Sequence, residues 1–157
     1  MERLGEKVAD LLRIGDLIVL EGPLGAGKTT LVRGLGRGLD ASGVVSSPTF
    51  VIARRHRSSG TRPALSHVDA YRLAGGVELD DLDLDLDLAD SVVVVEWGRG
   101  KVEHWSPDRL DISIRRPETP GEHGTPRTVL LQGCGKRWRG TDWVAVLGDE
   151  HGIEMVM

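Results

Sequence analysis

The chain has 157 residues, 39% of them hydrophobic, which is the size and apolar content of one domain with a packed core. Twenty basic against 24 acidic residues give a net charge of −4, so no overall positive field advertises nucleic acid. A lone cysteine, Cys134, excludes a disulfide framework and a multi-cysteine zinc site. No apolar run approaches the roughly 20 residues of a membrane span, and the charged Met1–Lys7 start is unlike a signal peptide, so the expectation is a cytoplasmic protein.

Leu4 to Ile14 carries Val8, Leu11 and Leu12 at helical spacing and stops at Gly15. Leu17-Ile18-Val19-Leu20 is a short continuous apolar run, the pattern of a strand buried on both faces. A glycine-rich turn follows, then a helix from Thr29 to Leu39 with Leu31, Leu35 and Leu39 along one face. Gly34, Gly36 and Gly38 each cost that helix about 1 kcal/mol relative to Ala, so packing must hold it. Phe50 to Ala53 predicts a strand, and in the arginine-rich segment Arg54 to Pro63 that follows, Ser58-Ser59-Gly60 suggests an exposed hairpin tip.

Ala64 to Val68 is a strand ending at Asp69, and Val92 to Val95 is the strongest strand signal in the chain, ending at Glu96-Trp97. Between them the acidic Glu78–Asp90 run alternates Asp with Leu. Asp is a poor strand residue, so a loop with a short helical turn is expected. Leu110 to Arg115 and Arg127 to Gln132 form an antiparallel pair joined by a Pro/Gly-rich stretch. Residues 1–135 then make the domain. Residues 136–157, with Trp138 and Trp143 but no firm pattern, are expected to be a mobile C-terminal extension.

Chemistry enters at Gly22-Pro23-Leu24-Gly25-Ala26-Gly27-Lys28-Thr29, which satisfies G-x-x-x-x-G-K-[ST] between an apolar strand and an apolar-periodic helix. Glycines in such a loop let successive backbone N–H groups turn inward and cradle phosphate at a helix N-terminus. Gly22, Gly25, Ala26, Gly27, Lys28, Thr29 and Thr30 are therefore the candidate nucleotide-binding residues. Lys28 is the charge for the β- and γ-phosphates and the Thr29 hydroxyl a ligand for Mg²⁺. A second acid from a neighbouring strand is also needed, and Asp69 and Glu96 both sit at strand C-termini, where open α/β sheets bind ligands. Lys28, Asp69 and Glu96 are the candidate catalytic residues, with Thr29 on the metal and either strand-end acid able to hold or orient the metal and water. His67 could orient water, although a strand histidine is more often a packed one.

Four segments in this order and spacing, Gly22 to Thr30, Ser47-Pro48-Thr49-Phe50, His67-Val68-Asp69-Ala70-Tyr71-Arg72-Leu73 and Val95-Glu96-Trp97, resemble the TsaE (YjeE) family. The resemblance covers roughly residues 4 to 132. It implies a P-loop NTPase fold of α/β class, a central mixed and mostly parallel sheet flanked by helices. It also implies a Mg²⁺-dependent ATPase supporting a TsaD-like transferase and its TsaB-like partner. These make threonylcarbamoyladenosine beside the anticodon of tRNAs reading codons that begin with A, so tRNA is met indirectly through the complex. By the same resemblance Lys28 is the phosphate-binding lysine, Thr29 the Mg²⁺ ligand and Glu96 the second metal-associated acid. Asp69 is the acid of an H-x-D-x-Y-R motif, and Ser47 to Phe50 a switch-like loop. Pro23 and Gly98 depart from the residues frequent there. The alternative is a small-molecule kinase with Arg54 to Arg62 as a phosphate lid. A GTPase is excluded because a chain without Asn cannot contain N-K-x-D.

Overall fold

A computed structural model describes residues 1–46, 48, 52–73, 79–80, 86–116, 127–148 and 153–156, the last four and 86–87 as backbone only. Ser47, Thr49 and Phe50 of the expected switch-like loop, residues 78 and 81–85 of the acidic run and the 117–126 connection lie outside them. The apolar run after Gly15 becomes β1 (Leu17–Glu21) and the valine run becomes β4 (Ser91–Glu96). The two are parallel neighbours, with Leu17 opposite Val93 and Leu20 opposite Glu96. β3 (Ala64–Asp69) lies parallel on the outer side of β4, which sets Asp69 directly opposite Glu96. On the other side of β1 runs β5 (Arg109–Arg115), parallel to it, and then β6 (Thr128–Cys134), antiparallel to β5. With edge strands β2 (Ala53–His56) and β7 (Ile153–Val156) the order is β2-β3-β4-β1-β5-β6-β7.

Strand alternation divides the core between two faces. Ile18, Leu20, Val92, Val94, Leu110 and Ile112 pack under α1 (Glu2–Ala9) and α2 (Lys28–Gly38). Leu17, Val19, Val93 and Val95 face a smaller cluster with Val68, Leu79 and Val102. Burial of each such side chain contributes about 1.5–3 kcal/mol, which explains the unbroken apolar runs in β1 and β4.

The glycines of α2 have a packing reason. A Cβ on Gly34 would stand 2.0 Å from the Glu2 carbonyl oxygen of α1, and one on Gly5 would stand 2.3 Å from that of Leu31. The two helices touch backbone to backbone, so the propensity lost at Gly34 is exchanged for close approach.

Three expectations are corrected. The first helix ends at Ala9, not Ile14. Leu11 and Leu12 donate to Val8 and Ala9 three residues back, a tightened turn that still buries Leu12. Of the strand expected over Phe50–Ala53, residues 50 and 51 lie outside the described residues and the described strand is β2, Ala53–His56, so Arg54 and Arg55 are strand residues. Its antiparallel pairing with β3 puts Ser58-Ser59-Gly60 in the hairpin connection, where the tip was expected. Charged side chains suit an edge strand, where one side has no neighbour. Residues 136–148 do not stand off the domain. Trp138 stacks on Trp143 with 5.7 Å between ring centroids, and both are buried in the α1–α2 core together with Leu147 of α3 (Trp143–Leu147). β7 then adds a parallel strand to β6, from Val129 opposite Ile153 to Gln132 opposite Val156.

Candidate nucleotide site

The loop joining β1 to α2 owes its shape to its glycines. Gly22 has φ 148°, and a Cβ there would lie 2.5 Å from the Ile114 carbonyl oxygen. Gly27, at φ 107°, starts α2 in the left-handed region that glycine tolerates. No side chain caps this helix start and no acid stands in its first turn. Its backbone donors and the positive end of its dipole are thus available to an anion.

Lys28 is 5% exposed, with Nζ donating to the carbonyls of Gly22 at 2.7 Å and Pro23 at 3.1 Å. The same ammonium lies 3.6 Å from the centre of the Trp97 ring. Burial pushes its pKa below the usual lysine value of 10.5, against the pull of Glu96 first, then Glu21 and Asp69.

Thr29 Oγ1 donates to Glu96 Oε1 at 2.8 Å, so helix start and strand end meet across the loop. His67, fully buried, places Nε2 2.9 Å from the same Oε1. It is a packed histidine, as its strand position favours, but packed against the site's own acid. Asp69, 7% exposed, accepts from the Tyr71 N–H at 3.0 Å. Gly25 to Thr30 line one cleft of about 400 Å³ together with Asp69 and Glu96; Gly22 is not in that lining and is joined to it through its carbonyl, which accepts from Lys28. The hard oxygens of Thr29 and Glu96, 2.8 Å apart, with Asp69 on the adjacent strand, form a donor set that suits Mg²⁺.

Two contributors went unassigned in the sequence. Trp97 adopts φ 61°, unusual for a bulky residue, and its ring sits between Lys28 and Tyr71, whose ring centroid is 5.0 Å away. The signal available was an aromatic directly after a strand-end acid. Lys101 carried no signal. From the loop after β4 its Nζ donates to the carbonyls of Ala70 at 2.7 Å and Leu73 at 2.8 Å, fastening the turn that presents Tyr71 and Arg72 to the cleft.

The arginine segment does not cover this cleft. Arg55 pairs with Asp90 and Arg62 with Asp10, both near the end of the sheet opposite Asp69 and Glu96. Among the described residues no group of three or more His, Cys, Asp or Glu gathers as a metal cluster. No helix among them is long and apolar enough to cross a membrane.

A family model described as "Threonylcarbamoyl adenosine biosynthesis protein TsaE" matches residues 1–133. The chain is similar to the tRNA threonylcarbamoyladenosine biosynthesis protein TsaE of Streptomyces coelicolor, 57% identical over 150 residues, 94% of this chain and 99% of that one. The protein of the same description from Bacillus subtilis is 39% identical over 114 residues, 72% of this chain and 70% of that one. The crystal structure of YdiB from Bacillus subtilis superposes with a TM-score of 0.64 at 30% identity, over 87% of this chain and 80% of that one. The strand-end acids, the loop and its helix thus sit in a fold and a sequence with one consistent kinship: the chain belongs to the TsaE family of tRNA threonylcarbamoyladenosine biosynthesis.

Proposed function

We propose that the protein is the ATP-hydrolysing component of threonylcarbamoyl modification of tRNA. In this reading it works in the cytoplasm on a TsaD-like transferase with its TsaB-like partner and meets tRNA only through that complex. One observation carries the reading: Lys28 and Thr29, at the start of α2, converge with Glu96 at the end of β4, and Asp69 lies alongside.

In this reading the free donors of the α2 start and the Lys28 ammonium bind the β- and γ-phosphates. Thr29 and Glu96 hold Mg²⁺, which when bound neutralises charge developing on the phosphate oxygens. His67 keeps the Glu96 carboxylate aimed at the cleft. Asp69, held by the Tyr71 N–H, would orient a water whose oxygen bonds to the γ-phosphorus as the β–γ bridge breaks. The exposed turn carrying Tyr71 and Arg72 is the part a partner protein can press on, and a cation moved onto the transition state is worth about 10³–10⁵ in rate in well-studied cases. Isolated turnover is therefore slow and rises with the partners.

The test is ATP turnover by wild type, Lys28→Ala and Glu96→Gln, each with and without the two partner proteins. Lys28→Ala should lose ATP affinity and hydrolysis by about 10²-fold or more. Glu96→Gln keeps shape and loses charge, so it should bind ATP without cleaving it. Normal cleavage by Glu96→Gln, or partners that leave the wild-type rate unchanged, would overturn the reading.

A further inference from the structure

Two arginines flank the phosphate-binding loop on the side away from Asp69 and Glu96. β1 lies between β4 and β5, so the loop that leaves it has the strand-end acids on one flank and the β5–β6 hairpin on the other. Arg116 follows the last residue of β5 and Arg127 precedes the first of β6, so the two stand just beyond the final rung, Arg115 opposite Thr128.

Both side chains are exposed, yet both approach the loop. Arg116 Nη1 comes within 3.3 Å of where a Cβ on Gly25 would be, and Arg127 Nε within 3.7 Å of the same position on Gly27. Neither makes a hydrogen bond or an ion pair among the described residues. Two guanidinium groups thus stand beside a backbone shaped for an anion.

The direction of the site assigns them a task. Lys28 turns toward the β4 side, onto Trp97, and Thr29 reaches Glu96 there. A polyphosphate lying along the loop has its reacting, metal-binding end on that side. Its other end, which carries the nucleoside, leaves on the side of β5 and β6.

We propose that Arg116 and Arg127 clamp the nucleoside end of the bound nucleotide, donating to the α-phosphate and laying a guanidinium plane against the base. This deepens the reading of the loop as an ATP site and rests on it. Arginine suits both contacts, because its planar fork of donors matches phosphate oxygens and its weakly hydrated face stacks on aromatic rings. The clamp is indifferent to which purine it meets, so any preference for ATP over GTP arises elsewhere.

Calorimetry with ATP, ADP and inorganic pyrophosphate tests this on wild type, Arg116→Ala, Arg127→Ala, the double alanine variant, a double lysine variant and Lys28→Ala. Pyrophosphate probes the β,γ end alone. The double alanine variant should lose about 10-fold or more in affinity for ATP and ADP and stay within about 2-fold for pyrophosphate. The double lysine variant keeps the charge but not the plane, and should recover only part of the loss. Both positions are exposed, so unfolding midpoints without nucleotide should match wild type. A double alanine variant that binds ATP like wild type overturns the clamp, as does an equal loss for ATP and pyrophosphate, which a general charge effect would give. If the wild type binds no ATP, or Lys28→Ala binds it as well as wild type, the loop reading itself fails and the clamp falls with it.

Discussion

Removing the Arg137 guanidinium should cost this protein a large share of its stability. Arg137 Nε and Nη2 donate to the two oxygens of Asp16, each at 2.9 Å, and Nη2 also reaches the Leu11 carbonyl at 2.5 Å. The Asp16 side chain is 3% exposed and that of Arg137 14%, so water replaces little of what is lost. In Arg137→Ala the Asp16 carboxylate keeps the Arg13 N–H, at 2.9 Å, as its hydrogen-bond donor. An uncompensated buried charge costs about 3–5 kcal/mol. The guanidinium also sits 4.3 Å from the Trp138 ring centre, a contact worth roughly 0.5–2 kcal/mol. For a chain of this length each kcal/mol moves the midpoint by about 2–4 °C, so the two losses together should lower the melt by roughly 7–28 °C. Scanning calorimetry of the free protein measures it. Replacing the pair together, with Arg137→Met and Asp16→Leu, should recover most of the loss, because an apolar pair leaves no buried charge. A midpoint for Arg137→Ala within about 2 °C of wild type would refute the idea that residues 136–148 are an integral part of the domain. A double variant no more stable than the single would show that packing, not the orphaned charge, sets the cost.

Two further outcomes bear on the cleft. Lys101→Ala frees the turn after β3 without touching the loop, so partner-stimulated turnover should drop about 10-fold while ATP affinity stays within about 2-fold, with partial rescue by Lys101→Arg. Parallel binding and turnover assays check it, and an equal loss in both would assign Lys101 to nucleotide binding instead. Burial lowers the Lys28 pKa, so the folded chain gives up this proton more easily than the unfolded one. Between the lowered value and 10.5 the unfolded state binds more protons, and the Lys28 contribution to stability rises with pH. The same lost charge should weaken ATP binding as pH rises, starting below 10.5. Affinity and melting curves of wild type against Lys28→Met isolate this term, and identical pH profiles would contradict it.

The legible part of this protein is what neighbouring residues dictate. A four-residue apolar run, a glycine pattern and a Lys-Thr pair define a strand, a loop and a helix start within 13 residues, from Leu17 to Thr29, and the structure has all three. Val92 to Val95 announced a central strand, since only a strand covered on both faces tolerates four valines together. Asp69 and Glu96 were recognisable as strand-end acids, and β3 and β4 pair in the register that sets them side by side. Motif spacing alone sufficed to suggest the family.

Tertiary packing decided the rest, because the relevant partners are distant in sequence. Gly34 looks like a flaw in a helix until Glu2 lies against it, 32 positions earlier. Trp138 and Trp143 have no period that marks a core, yet they fill the edge of one already built by α1 and α2. Arg137 is one of 16 arginines in composition and becomes a structural tie only through Asp16, 121 residues away. Lys101, Arg116 and Arg127 reach the loop or its neighbouring turn from segments that carry no motif. Local sequence sets the backbone a segment can adopt. Which side chains then share a cleft depends on the order and register of the strands, and that is a property of the whole sheet.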